Sequence, residues 1–326
     1  MTIASAAASE LQALRCECAA YHLERVLISL GGRDRVRWLN GMVSNNIRDL
    51  EVGRGVYAFV LNPQGHIQGD LYAFNRGESI TLELERPQAQ TVLQILRRYI
   101  IMDKVEIEDL SERLAVIGVS GPNSPDVLGK IGLQGSELAP LQLADVNWNG
   151  SAVTLLRGDN PCMPSFELWV EKEQAESLWK GLHEAGAPEA DDAAVETLRI
   201  ICGVPKFGVD IRERTLPQET GQERALSFTK GCYIGQEIVE RIRARGAVHR
   251  MFTGFEVQGP AALAGTKIQS DGKDVGEITS VASARVDGEE RILALGFVRK
   301  EALASGSGLT AGEANLKATS LPFNIQ

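Results

Sequence analysis

The chain has 326 residues, 44% of them hydrophobic, so it can bury a substantial core and form two or three domains. Its 34 Lys and Arg against 43 Asp and Glu leave a net charge of −9, which argues against a groove that neutralises many nucleic-acid phosphates. The five cysteines form no CxxC pair and no metal-ligand spacing, which argues against a disulfide framework and a resident metal.

The start of the chain predicts no export signal. Its Ala-rich stretch, Thr2 to Ala8, is interrupted by Glu10 and Arg15 too soon to form a signal-peptide core, and no apolar run approaches bilayer length. We therefore expect a cytoplasmic monomer that binds neither membrane nor nucleic acid.

Residues from about 24 to 112 predict a compact α+β unit. Asp34 precedes apolar residues at helical spacing, which indicates a helix over 34–46. Three strands of an antiparallel meander are expected next, and the alternating residues 80–85 give the last of them one polar face. Pro87 then begins a second helix, and residues 104–110 return as a strand. The predicted strands of the meander are 56–61, 67–74 and 80–85.

Two further regions follow in the sequence. A second α+β unit is expected to contain strands and helices up to Cys202, and from Met251 onward short segments split by Gly, Asp and Ser are typical of a small antiparallel barrel. Its predicted elements are strands at 114–119, 152–156 and 166–170 and helices near 126–131, 173–185 and 191–202.

A short segment in the second half of the chain contains a candidate reactive cysteine. It reads Lys230-Gly231-Cys232-Tyr233-Ile234-Gly235-Gln236-Glu237, and a helix is expected over 236–243 with a stop at Gly246. If the backbone is extended, Lys230 and Cys232 project to the same side, and the positive end of the helix lies nearby. Both effects favour a thiolate. Alternatively, Cys232 is a small buried apolar residue and Lys230 a solvated charge.

The segment resembles the signature of the YgfZ family of folate-binding proteins, which are relatives of the glycine-cleavage T protein (aminomethyltransferase). The similarity extends from about residue 24 to the end of the chain, and the 230–237 segment is its most specific part. The other segments that carry the resemblance are 34–45, 57–65, 69–71, 203–210, 216–219 and 245–250.

The resemblance implies an α+β fold: a three-domain T-protein-like ring around a central funnel, with two α+β folate-domain units and a C-terminal antiparallel β-barrel. The folate-binding region would cover 1–246, and the barrel 247–326. Within the folate-binding region, the subdomains would be about 24–112, and 1–23 together with 113–246.

The resemblance also implies a tetrahydrofolate site. Asp70 matches a carboxylate near the reactive folate nitrogen, Glu167 one that grips the aminopyrimidine edge, and Arg199 a family arginine at the site. Tyr233 and Gln236 of the signature are added as folate contacts. The plainer alternatives place Asp70 and Glu167 on solvent-facing strand positions and pair Arg199 with Glu196 on its own helix.

Residues 159–165 depart from the T-protein pattern, because they replace a Gly-Tyr-Thr-Gly stretch and remove a tyrosine beside the pterin. This favours the YgfZ branch, which implies a tetrahydrofolate-binding protein that supports iron–sulfur cluster assembly or repair. In that reading Cys232, near the funnel, Lys230 and Asp70 are the catalytic residues, and iron–sulfur client or assembly proteins are the partners.

Two alternatives stay open. One is a folate-dependent aminomethyltransferase or demethylase of the T-protein type, which would use Asp70 and would not need Cys232. The other is a folate-binding scaffold without catalytic activity. The resemblance does not decide whether the protein is an enzyme.

Overall fold

The computed structural model describes residues 4–5, 8–246, 248–260, 262–286 and 289–324. Most of the Ala-rich start, and Ala247 at the predicted domain boundary, lie outside these residues. Among the helices in this part of the chain, none is both long and apolar enough to cross a bilayer.

Seventeen strands and eight α-helices are found among the described residues. The strands up to residue 109 are β1 (Ala4–Ser5), β2 (Ala19–His22), β3 (Arg25–Gly31), β4 (Gly55–Leu61), β5 (Ile67–Asn75), β6 (Ile80–Glu85) and β7 (Glu106–Asp109). The next are β8 (Leu114–Ser120), β9 (Leu143–Trp148), β10 (Ser151–Arg157) and β11 (Ser165–Glu171). The last are β12 (Arg250–Gln258), β13 (Lys267–Ser270), β14 (Lys273–Val286), β15 (Glu289–Arg299), β16 (Leu309–Ala311) and β17 (Ala314–Thr319).

The α-helices lie between these strands. They are α1 (Ala8–Cys16), α2 (Arg35–Met42), α3 (Arg86–Arg98), α4 (Ser124–Lys130), α5 (Lys172–Ala185), α6 (Asp192–Ile201), α7 (Gln236–Arg245) and α8 (Lys300–Ser305). Helix α2 is shorter than the predicted 34–46, because Val43 is already extended. Helix α7 ends where expected, at Gly246 in the left-handed conformation.

The strands form three sheets. An N-terminal sheet has the order β4-β5-β6-β3-β7, and a central sheet has the order β2-β8-β11-β10-β9, both antiparallel throughout. In the third sheet six described strands, β14-β13-β16-β17-β12-β15, close on themselves through a β14–β15 pairing. The predicted α+β fold with a C-terminal antiparallel barrel is confirmed.

Each sheet buries an apolar face against a helix. Val92 and Leu96 of α3 join the core of the N-terminal sheet, because they lie four residues apart on one face of the helix. Leu178 and Leu182 of α5 do the same at the central sheet. Helix α6 packs instead with barrel residues such as Phe297 and with Ala19 of β2, so it connects the central sheet to the barrel.

Candidate functional site

A cavity of about 570 Å³ lies between the N-terminal sheet, the central sheet and α6. Asp70, Glu167 and Arg199, predicted from three separate parts of the sequence, all line it. Of the remaining candidates, Lys230, Cys232, Tyr233 and Gln236 are not among its described lining residues. The structure thus separates the seven predicted residues into one group of three at the cavity and another of four elsewhere.

Asp70 is held from two sides at the floor of this cavity. Tyr57 Oη donates to its Oδ2 over 2.6 Å, and Gln88 Nε2 donates to its Oδ1 over 2.5 Å. The backbone nitrogen of Asp70 donates in turn to Gln88 Oε1. Only 9% of Asp70 is exposed, and this burial raises the pKa of its carboxyl, although the two hydrogen bonds oppose the rise. The carboxyl group of Asp70 therefore has a fixed orientation and a raised pKa.

Glu167 reaches the cavity beside a second carboxyl group, Glu83. Trp169 Nε1 donates to Glu167 Oε2 over 3.2 Å, and Glu167 is also hydrogen-bonded to Glu83. Glu83 is only 3% exposed, and burial together with the charge of Glu167 raises its pKa well above the ordinary value. The raised pKa favours the protonated form of Glu83, whose O–H group then donates to Glu167.

Arg25 partly compensates this acidic wall. Its Nη1 donates to Glu85 over 3.0 Å, and its Nε lies 2.8 Å from Glu83 Oε1, without the alignment of a hydrogen bond. The cavity lining nevertheless contains eight carboxyl side chains and four Lys or Arg. It is therefore suited to a ligand that presents N–H donors, and poorly suited to a phosphate.

Arg199 is fully engaged by the protein itself. Its five N–H groups donate to Glu196 twice, and once each to Val204 O, Asp210 and Ser280. Asp210 is completely buried, and it also accepts from Thr279 and Ser280 of the barrel. Arg199 thus joins α6 to the barrel, and only the face of its guanidinium plane is available to a ligand.

The segment that departs from the T-protein pattern also reaches the cavity. Asp159 accepts a hydrogen bond from Tyr72 and forms an ion pair with Arg224. Arg224 lies with its guanidinium carbon 4.4 Å from the centre of the Tyr57 ring. Asp159 thereby fixes the aromatic wall above Asp70.

Lys230 is half-buried against the end of α2. Its ammonium donates to the carbonyl oxygens of Asn40, Val43 and Asn45 over 2.6, 2.7 and 2.6 Å. Burial lowers the pKa of Lys230 to about 7, with Arg48 as a second cause, while three carbonyl acceptors at a helix C-terminus favour the cation. All three donors of the ammonium are used, so none is left for the Cys232 sulfur.

Cys232 is exposed on the surface, while its neighbour Tyr233 is buried. Tyr233 anchors the segment in an apolar cluster with Phe59 and Leu61 of β4, and this burial raises the pKa of its hydroxyl to about 12. Gln236 is the first residue of α7. Cys232 is thus an exposed thiol outside the described lining of this cavity, and its position near the folate funnel stays a prediction.

Gly235 brings two sequence motifs together. It adopts a φ of +82°, and a Cβ there would lie 2.6 Å from the carbonyl oxygen of Asn62, within the 62–65 turn. Only glycine permits this approach, so the 230–237 segment packs directly on the turn that precedes Asp70.

Sequence reasoning missed several residues of the cavity, chiefly Glu83, Arg25, Tyr57 and Arg224. The polar face of the 80–85 strand was a usable signal for Glu83. This residue lies between two leucines in the sequence and is buried in the structure. For Arg25 and Arg224 the sequence contains no comparable signal, since their partners lie far away along the chain.

Comparisons with known proteins give consistent results. The family model of the GCVT N-terminal domain matches residues 2–230. A chloroplastic protein of Arabidopsis thaliana, named as a transferase, is 27% identical over 294 residues, covering 90% of this chain and 67% of the relative. An aminomethyltransferase of a Nostoc strain is 29% identical over 266 residues, covering 77% of this chain and 69% of the relative.

A solved structure extends the similarity to the whole fold. The glycine cleavage system aminomethyltransferase T from Bartonella henselae superposes with a TM-score of 0.85 at 21% identity, covering 97% of this chain and 89% of that one. The predicted T-protein-like architecture is therefore confirmed.

Proposed function

Because the chain belongs to the GCVT N-terminal domain family, we propose that it binds a reduced folate, tetrahydrofolate or a derivative, in the 570 Å³ cavity. The observation that carries the proposal is that Asp70 and Glu167 come from two different sheets and line the same space. In this proposal Glu167 receives the aminopyrimidine edge, and Asp70 lies towards the reactive nitrogen.

The lining fits such a ligand. A pterin edge carries adjacent N–H donors, which an ionised carboxylate accepts in a bidentate arrangement. Aromatic side chains provide flat apolar contact for a ring system. They are Tyr21, Tyr57, Tyr72, Phe74, Phe166 and Phe207. The volume lies in the range of about 300–1,000 Å³ that small-molecule sites occupy.

Asp70 is positioned to hold or release a proton in this cavity. Its raised pKa brings it closer to neutral pH than an ordinary aspartate, and Tyr57 and Gln88 hold both oxygens in place. A bound folate would supply the one-carbon chemistry, while Asp70 would hold or release a proton at the reacting nitrogen.

We further propose that the protein supports iron–sulfur cluster assembly or repair through Cys232. The exposure of this thiol supports contact with a partner protein. Lys230 would act mainly by fixing the segment, through its three carbonyl contacts. No cluster of three or more His, Cys, Asp or Glu able to hold a metal occurs among the described residues, so iron would be held jointly with the partner.

Aminomethyl transfer is the second candidate function. It is favoured by the buried, oriented Asp70 and by relatives that are named aminomethyltransferases. It makes no use of Cys232. A cytoplasmic location and a monomeric state remain predictions, and the chloroplastic Arabidopsis relative does not fix the compartment.

Folate binding is tested by calorimetric titration of the purified protein with folinic acid, a reduced folate that resists oxidation. We expect binding to the native chain, and a roughly tenfold or greater loss of affinity in Glu167→Gln, because a charge-assisted pair of hydrogen bonds is removed. Cys232→Ala should bind like the native protein. Absence of binding to the folded native chain would overturn the proposal.

The two functional candidates are separated by a pair of assays. Folate-dependent turnover of an aminomethyl-lipoyl carrier that depends on Asp70 and survives Cys232→Ala would establish the transferase. Restoration of iron–sulfur enzyme activity in cells lacking the protein, lost in Cys232→Ala but retained by an exposed-residue control such as Lys180→Met, would establish the cluster role. Full activity of Cys232→Ala in those cells would refute it.

A further inference from the structure

Two cysteines that are 40 positions apart in the sequence lie side by side in the structure. Cys162 belongs to the loop between β10 and β11, and Cys202 follows the last residue of α6. Both contact one atom, Asn160 Oδ1, which accepts from the Cys162 backbone nitrogen over 2.8 Å and from the Cys202 sulfur over 3.4 Å. The two thiols are close enough for each to shift the pKa of the other. They therefore form a dithiol pair.

The two thiols differ in accessibility and acidity. Cys162 is exposed, whereas Cys202 is only 2% exposed. The neighbouring Cys202, together with the charge of Arg15, lowers the pKa of Cys162, while the proximity of Cys162 and burial raise the pKa of Cys202. An exposed, more acidic thiol beside a buried partner has the arrangement of an attacking and a resolving cysteine.

The pair joins two walls of the cavity. The loop that carries Cys162 also carries Asp159 and Asn160, which line the cavity, and Asp159 holds Tyr72 and Arg224. The helix that leads to Cys202 contributes Glu196 and Arg199 to the cavity lining. A covalent bond between the cysteines would fix the distance between these walls.

We propose that Cys162 and Cys202 form a redox site that reacts with low-molecular-weight disulfides and, on closing to an intramolecular disulfide, changes the affinity of the cavity for its ligand. The coupling to ligand affinity rests on the proposed folate site, whereas the thiol chemistry does not. It is distinct from any role of Cys232, which lies outside the cavity lining.

The reaction is a two-step thiol–disulfide exchange. The Cys162 thiolate attacks one sulfur of a small disulfide, the sulfur–sulfur bond breaks, and one thiolate leaves, which gives a mixed disulfide at Cys162. The Cys202 sulfur then loses its proton and attacks Cys162 Sγ, and the second small thiolate leaves. Two protein thiols are oxidised to one disulfide, the small disulfide is reduced to two thiols, and the two protons pass to the leaving groups.

The test treats the full-length reduced protein with oxidised glutathione and measures peptide masses and free thiols. We expect two of the five thiols to be lost and a 162–202 linked peptide that lacks two hydrogens. Cys202→Ser should trap a glutathione adduct on Cys162, Cys162→Ser should form no linked peptide, and Cys232→Ser should behave as native. Oxidation that spares Cys162 and Cys202 would overturn the redox site.

The coupling is measured by folinic acid titration of the oxidised and reduced forms. We expect a change in dissociation constant of roughly fivefold or more, the lower end of typical allosteric coupling, reversed by dithiothreitol and absent in Cys162→Ser. Equal affinity of the two forms would overturn the coupling. If neither form binds folinic acid while the linked peptide appears, the folate proposal and the coupling fail and the redox site stands.

Discussion

The ammonium of Lys230 donates a hydrogen bond of 2.6 Å to the carbonyl oxygen of Asn45. The side-chain amide of Asn45 donates in turn to the carbonyl oxygens of Tyr57 and Arg224, two residues that line the cavity. The 230–237 segment is thus connected to the cavity wall through Asn45, although its thiol is exposed and does not line the cavity.

Lys230→Met should destabilise the protein. It removes three charge-assisted hydrogen bonds and leaves the Asn40, Val43 and Asn45 carbonyls without this donor, so we expect the free energy of unfolding in urea to fall by about 2–5 kcal/mol. Cys232→Ala should change it by less than about 0.5 kcal/mol, because the thiol is exposed. Equal stability of Lys230→Met and the native protein would exclude a clamping role for the lysine.

Tyr57→Phe should raise the pKa of Asp70 further, because the lost hydrogen bond favours the ionised carboxylate. Carboxyl-carbon NMR titration measures this directly. Tyr72→Phe is the matched control, since that hydroxyl donates to Asp159 instead. A shift of Asp70 that is equal in the two variants would contradict the assignment of Tyr57 as its specific donor.

Glu83→Gln should change how stability depends on pH. The folded pKa of Glu83 is raised, so the folded state binds more protons than the unfolded state above the ordinary value of 4.5, and stability falls as the pH rises through that window. Glu83→Gln removes this titration. The variant should therefore become increasingly more stable than the native protein as the pH rises above about 4.5, and the difference in stability should disappear below that pH. Glu184→Gln, at an exposed position, should show no such trend in the same urea unfolding series.

Arg199→Met should be severely destabilising, because it leaves the buried carboxylate of Asp210 without its charged partner. We expect the free energy of unfolding to fall by about 3–5 kcal/mol. Arg113→Met breaks an exposed ion pair with Glu171 and should cost less than about 1 kcal/mol. If the two substitutions cost the same, Arg199 does not hold α6 to the barrel, and its predicted role in contacting the ligand gains weight.

Local pattern was enough to predict most elements. The spacing of Val92 and Leu96 predicted α3 and its buried face, and Gly246 predicted the end of α7. The short segments beyond Met251 predicted the barrel. These predictions succeed because helix periodicity, glycine conformation and strand alternation are set by neighbours along the chain. The strands β2, β3 and β9 were not predicted. Strands β2 and β3 pair with strands distant along the chain, so their structure depends on those partners. Strand β9 instead pairs with its neighbour β10.

The sequence by itself determined the family resemblance, the α+β and barrel architecture, and the choice of Asp70, Glu167 and Arg199, which the fold brings to one cavity. Only the tertiary structure decided the surroundings of the individual side chains. It buried Glu83 beside Glu167, gave all three donors of Lys230 to carbonyls, and paired Cys162 with Cys202. Burial, pKa and hydrogen-bond partners depend on atoms contributed from far along the chain, and no local pattern encodes them.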